Sequence, residues 1–272
     1  MAVASSGIAA ALLDGGYTTH SMFKVPLKVD SETTCNISVN SELAELIRKA
    51  DLIIWDEAVM AHKHMFSTID RSFRDIMQSN QNNDKNKFFG NHIILFGGDF
   101  RQVLPVVVKG NRNSIVKASL KHTNFWHLVT CFKLTINMRI KSAAINKRKS
   151  TKDLSDFSEF LLKIGEGMIP FVNSSRFTDD IQLPIDIAQN IDEVELIKKV
   201  FPNINVNYSD HSFMTTRAIL TPKNKDVSRI NDICSKLFPG IARNYYSTDF
   251  ATSEKDKRNL FRYQIKFFYT IN

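Results

Sequence analysis

Only three cysteines occur in the 272 residues, Cys35, Cys131 and Cys234, and none belongs to a Cys-x-x-Cys pair. That scatter excludes a zinc knuckle and offers no disulfide framework, so reduced intracellular thiols are expected. No apolar run approaches the roughly 18 residues a membrane-spanning helix needs. The N-terminus lacks a basic segment followed by an apolar stretch and a cleavage site. The expectation is a soluble nuclear or cytosolic protein with no membrane partner. Glycine is sparse too, and none of the ten glycines is followed by Lys and then Ser or Thr. The pattern G-x-x-x-x-G-K-[ST], whose backbone amides cradle phosphates, is therefore missing from this chain.

What is present is enough to fold. Hydrophobic residues make up 43% of the chain, and the length suits one large or two ordinary domains. Lys and Arg number 36 against 28 Asp and Glu, a balance of +8, with pI near 9.3. Such a balance favours a polyanionic partner such as nucleic acid. The polar stretch from Gln78 to Lys87 reads as a surface loop, and Asn146-Lys147-Arg148-Lys149 as a solvated basic loop.

Four apolar segments, Met1 to Ser5, Asp51 to Trp55, His92 to Phe96 and Arg217 to Thr221, read as buried parallel strands. Helical stretches lie between them. The clearest runs from Ser41 to Lys49, capped by Ser41, with an apolar face of Leu43, Leu46 and Ile47. Alternation of this kind predicts an α/β fold with a parallel sheet. Ligands gather at the carboxyl ends of such strands, so the polar residues that follow each strand hold the interest.

Asp56-Glu57 follows the second strand directly. One carboxylate can hold Mg²⁺ through water while the other activates an attacking water; taken alone, the pair reads rather as an idle acidic strand end. The third strand runs into Gly97-Gly98-Asp99-Phe100-Arg101-Gln102, where the glycines permit close approach to a ligand and Gln102 offers an amide to a terminal phosphate. Farther on, Leu134 to Arg139 ends in the residue type that stabilises charge on a transferring phosphoryl group. The histidines of Ala61-His62-Lys63-His64 suggest a metal site only weakly, since that spacing on a helix would point the rings apart. Trp55 reads as core.

Taken in order, these motifs resemble the superfamily-one DNA helicases of the petite-integration-frequency type, in the branch found in Helitron transposons. The similarity is carried by SSGIAAALLDGGYTTHSMFKVP from Ser5, DLIIWDEAVM from Asp51, GGDFRQVLPVV from Gly97, LTINMR from Leu134, FLLKIGEG from Phe160 and RAILTPKNKDVSRIN from Arg217. The resemblance implies a RecA-like parallel sheet lacking its first strand and phosphate loop over residues 1 to 130. A second such domain would begin over 131 to 248, with a divergent tail over 249 to 272.

By position, the resemblance implies that Asp56 binds Mg²⁺ and Glu57 is the catalytic carboxylate. It places Asp99, Gln102 and Arg139 with Asp56 around ATP, and Thr19, His20 and Ser21 along single-stranded DNA. The implied activity is ATP-driven 5′ to 3′ unwinding of duplex DNA, suited to repair, recombination and telomere maintenance in the nucleus or the mitochondrion. Because the phosphate loop and the late motifs are missing, a truncated motor is expected, inactive by itself; the alternative is a remnant that only binds nucleic acid.

Overall fold

The computed structural model describes residues 1–78, 87–145, 151–172 and 180–239, together with the backbone of 243–244 and 268–269. Most of the polar loop after Gln78, the basic cluster 146–149 and nearly all of the tail 249–272 lie outside the described residues.

Strand β1 (Ala2–Ala4) leads through α1 (Gly7–Ala11) to β2 (Tyr17–Thr18) and α2 (Thr19–Met22). Helix α3 (Glu42–Arg48), β3 (Leu52–Asp56), α4 (Lys63–Met77) and β4 (Ile93–Phe96) follow. The four strands form one parallel sheet in the order β2-β1-β3-β4, with Val3 opposite Trp55 and Ile54 opposite Leu95. Three of the four expected strands are thus present; β2 is an addition too short to show as a periodic run.

Alternation along the strands decides what each face does. Val3, Ile53 and Trp55 point to the layer of α3 and α4 and are fully buried. Helix α4 turns Phe66, Ile69, Phe73 and Ile76 onto them, positions three, four and three apart that share one stripe of a helix. Trp55 stacks on Phe66 with ring centroids 4.6 Å apart, and its indole N–H donates to Ser5 Oγ at 3.0 Å, so core packing is its role. Phe125 closes this cluster edge-on against Phe89, 5.0 Å between centroids.

The opposite face is mostly open, which corrects the expectation of strands buried on both sides. Among the described residues Ala4 is the strand position fully buried there, against Ala9 and Ala10 of α1, while Ile93 and Leu95 stay 69% and 52% exposed. A strand's own residues cannot reveal whether a second layer exists to cover them. Helix α3 begins one residue after its expected start, with Ser41 accepting from the Ala44 amide at 3.2 Å. Its buried side chains are Ala44 and Ile47, with Leu46 turned out to solvent.

After β4 come α5 (Arg112–Lys117), α6 (Met138–Ile145) and α7 (Thr151–Gly165), then α8 (Glu193–Val200), α9 (Ile204–Asn207), α10 (His211–Thr215) and α11 (Asn224–Leu237). A two-residue antiparallel pair, β5 (Arg243–Asn244) with β6 (Phe268–Tyr269), ends the described backbone. The chain divides into two compact units, Met1–Phe171 and Val172–Asn272. Residues 131–171, assigned from the sequence to a second motor domain, pack within the first unit.

The fourth expected strand is not formed. Arg217–Thr221 is irregular, and Leu220 is 91% exposed. A strand needs a neighbour to take its N–H and C=O groups, and no described strand pairs with this segment. Ile219 instead faces a cavity of about 400 Å³ lined by Val227, Ile230 and Cys234 of α11.

Candidate active site at the strand ends

Three strand ends of the first unit are tied together by backbone hydrogen bonds. The Ser5 amide donates to Asp56 O at 3.1 Å, the Gly97 amide to Trp55 O at 2.9 Å, and the Ala58 amide to Gly97 O at 2.8 Å. Asp56 and Glu57 therefore emerge from a rigid edge. Asp56 Oδ1 accepts the Glu57 amide at 2.9 Å and faces Gly97. A Cβ built on Gly97 would lie 2.9 Å from that oxygen. Gly97 was expected to leave room for a ligand; the room it leaves is filled by the Asp56 carboxylate.

Glu57 is the most unusual residue of the site. Its backbone is left-handed, φ +50° and ψ +34°, at the entry to a 3₁₀ turn over Ala58–Met60. Glutamate in that region carries backbone strain. Its Oε2 is also shut off from solvent with no hydrogen-bond partner. A buried acceptor without a donor costs roughly 1–3 kcal/mol. Strain and an orphaned carboxylate oxygen coincide on the residue that the sequence marks as catalytic. Both are features of a side chain held for a ligand rather than for stability.

The following loop is organised by Arg101, a residue given no role from the sequence. Its guanidinium grips both oxygens of Asp99, Nε to Oδ1 at 2.9 Å and Nη2 to Oδ2 at 3.0 Å, and Nη1 reaches Glu166 Oε1 at 3.3 Å. The Arg101 hydrogen bonds hold the Asp99 carboxyl below the usual carboxylate range. Asp99, expected beside the nucleotide, has its carboxylate committed to Arg101. Gln102 is exposed, with its amide N–H donating to Asp99 O at 3.0 Å. The spacing of Asp99 and Arg101, two residues apart in a turn, was the available signal for this clamp.

The DNA-facing set divides. Thr19 is fully buried and its hydroxyl donates to Ala4 O at 3.0 Å, so it ties α2 to β1 and is not free to touch DNA. His20 and Ser21 beside it are exposed. Arg139 sits exposed at the start of α6, where Asn137 Oδ1 accepts its amide at 3.1 Å. No hydrogen bond or ion pair among the described residues links Arg139 to Asp56 or Glu57. His62 and His64 do not point apart: His62 is the N-cap of α4, its Nδ1 accepts the His64 amide at 3.2 Å, and the rings stack 4.7 Å apart. Lying outside the helix, His62 escapes the helical spacing rule. Among the described residues no three His, Cys, Asp or Glu side chains converge as a metal site. Mg²⁺ held by one carboxylate, water and phosphates needs no such cage.

A parallel sheet whose strand ends present an Asp-Glu pair beside a glycine turn defines an α/β protein with its candidate ligand site at the carboxyl edge of the strands. The chain matches the PIF1-like helicase family over residues 1–175, and it belongs to that family. Its fold is similar to a Bacteroides Pif1 helicase solved with ADP-AlF3 and single-stranded DNA, at 20% identity and TM-score 0.53, covering 93% of this chain and 51% of that one. It is likewise similar to the Pif1 helicase of Candida albicans, at 16% identity and TM-score 0.53, covering 99% and 52%. The RecA-like α/β class is thereby shown. The chain spans about half the length of these two helicases. A search of curated proteins returned no match.

Proposed function

We propose that these residues serve an ATP-dependent DNA helicase that moves 5′ to 3′ along single-stranded DNA and unwinds duplex DNA. The observation that carries the proposal is Glu57, strained, largely enclosed and with one carboxylate oxygen unpartnered, directly after Asp56 at the sheet's carboxyl edge. Asp56 would hold Mg²⁺ through water; the bound ion supplies positive charge against the phosphate oxygens. Glu57 orients the attacking water and takes its proton. Gln102 presents its amide to the terminal phosphate, and the Arg101 clamp steadies the loop that bears it. Arg139 balances charge on the phosphoryl group being transferred. His20 and Ser21 contact DNA phosphates. Work in DNA repair, recombination and telomere maintenance, in the nucleus or the mitochondrion, is part of the same proposal and rests on the resemblance of the motifs.

A second reading, nucleic-acid binding without turnover, is favoured by the excess of 36 Lys and Arg over 28 Asp and Glu. DNA-stimulated ATP hydrolysis decides between them. The assay compares this chain, a version joined to the phosphate-loop segment of a related helicase, and Glu57→Gln in that version. Hydrolysis by the joined version alone, abolished by Glu57→Gln, supports the motor. Silence of the joined version, with salt-sensitive DNA binding retained, supports binding without turnover.

A further inference from the structure

Away from the Asp56–Glu57 edge, a second cavity of about 600 Å³ runs along one side of α4. Lys63, Ser67, Arg71 and Arg74, at steps of four, four and three, supply one wall, a single stripe of the helix about 16 Å long. His122 and Asn124 stand on the other wall. The only carboxylate among the lining residues is Asp70, and it is held by Arg74 at 3.0 Å. Arg74 is thus balanced by Asp70, and Lys63 and Arg71 remain as two positive charges in excess on this wall. Arg71 donates through Nε to Thr33 O at 3.1 Å, a carbonyl that leaves its positive charge uncompensated. Asp30, whose field reaches His64 from the neighbouring loop, has its own carboxylate engaged by the Glu32 and Thr33 amides at 2.9 Å.

The aromatic groups at this cavity do not form a nucleobase platform. Phe125 is 5% exposed, and the Phe88 ring is covered by the Arg74 guanidinium at 4.7 Å. What remains accessible is cationic and hydroxyl-bearing, which suits a sugar-phosphate backbone and not a base.

We infer that this α4 groove is a second DNA-binding surface, taking phosphates of a single strand through Lys63 and Arg71. The inference rests on the helicase reading for its ligand. Lys63 is the residue to perturb: it is the first residue of α4, and its main-chain bond to Ala118 O at 2.7 Å survives any side-chain change. The first turn of α4 contains no acid, so Lys63→Glu adds a carboxylate where the helix dipole favours one. Binding and stability should therefore move apart.

Fluorescence anisotropy of a labelled oligothymidine is read between about 50 and 200 mM salt, with thermal unfolding of each variant. Lys63→Glu should weaken binding several-fold or more without lowering the melting temperature. It should make the slope of log K against log salt shallower by about 0.7, because one fewer phosphate is neutralised. Lys63→Arg should bind like the parent chain, and Lys63→Gln should fall between, serving as the readout should the glutamate variant fail to fold. Parental affinity and slope in Lys63→Glu and Lys63→Gln overturn the groove and leave the helicase reading standing. Failure of the parent chain to bind DNA at low salt overturns both.

Discussion

Replacing the central carboxylate of the site should make the protein more stable. Glu57 holds φ +50° and ψ +34°, a conformation that costs an L-residue about 1–2 kcal/mol and glycine almost nothing. Glycine returns about 0.5–1 kcal/mol of this through its freer unfolded chain. Losing the unpartnered Oε2 recovers part of the roughly 1–3 kcal/mol that a buried unsatisfied acceptor costs. Glu57→Gly should therefore stabilise the fold by about 2 kcal/mol, or roughly 4–8 °C for a unit of this size, while removing the proposed catalytic group. Glu57→Ala removes the carboxylate but keeps the backbone strain, so it should gain about 1 kcal/mol less. Thermal unfolding followed by circular dichroism measures all three chains. A glycine variant less stable than the parent, or no better than the alanine variant, would refute the strain argument.

Gly97→Ala puts a methyl group 2.9 Å from Asp56 Oδ1; it should cost about 1–3 kcal/mol in urea denaturation and weaken Mg²⁺-dependent nucleotide binding in the loop-joined version. Asp70→Ala removes a carboxylate partner of Arg74 and the acceptor of the Phe89 amide, and a destabilisation of about 3 kcal/mol is expected by the same method. Burial holds the His62 and His64 pKa values below their usual level, chiefly by desolvation. The unfolded chain therefore binds more protons than the folded one as pH drops below about 6.5, and stability present above that pH should fall as the solution is acidified. His62→Asn, a cap that does not titrate, should flatten this dependence in melting temperatures taken from pH 7.5 to 5; an unchanged slope counts against the cap.

Much of the first unit was legible because its signals are local. Apolar runs ending in polar or glycine residues marked β1, β3 and β4, and Ser41 ahead of a 3.6-residue period marked α3. The ordered motifs pointed to the family that the match over residues 1–175 establishes. Asp56 and Glu57 could be singled out as candidates because adjacency in sequence already places two carboxylates at one strand end.

Other features depended on the meeting of residues far apart in the chain. Thr19 looked like its neighbours His20 and Ser21, yet the register of β1 beside β2 turns its hydroxyl onto Ala4 O. Arg217–Thr221 has the composition of a strand but no described partner strand, and pairing is a property of two segments. Gly97 is small because of a carboxylate forty-one positions earlier, and Arg101 is held by Glu166, just past the end of α7. Sequence alone determined which residue types stand at which strand ends, since that follows from periodicity and order along the chain. Tertiary structure decided which of those side chains stay free for a ligand, because burial, hydrogen-bond partners and backbone strain arise only when distant segments meet.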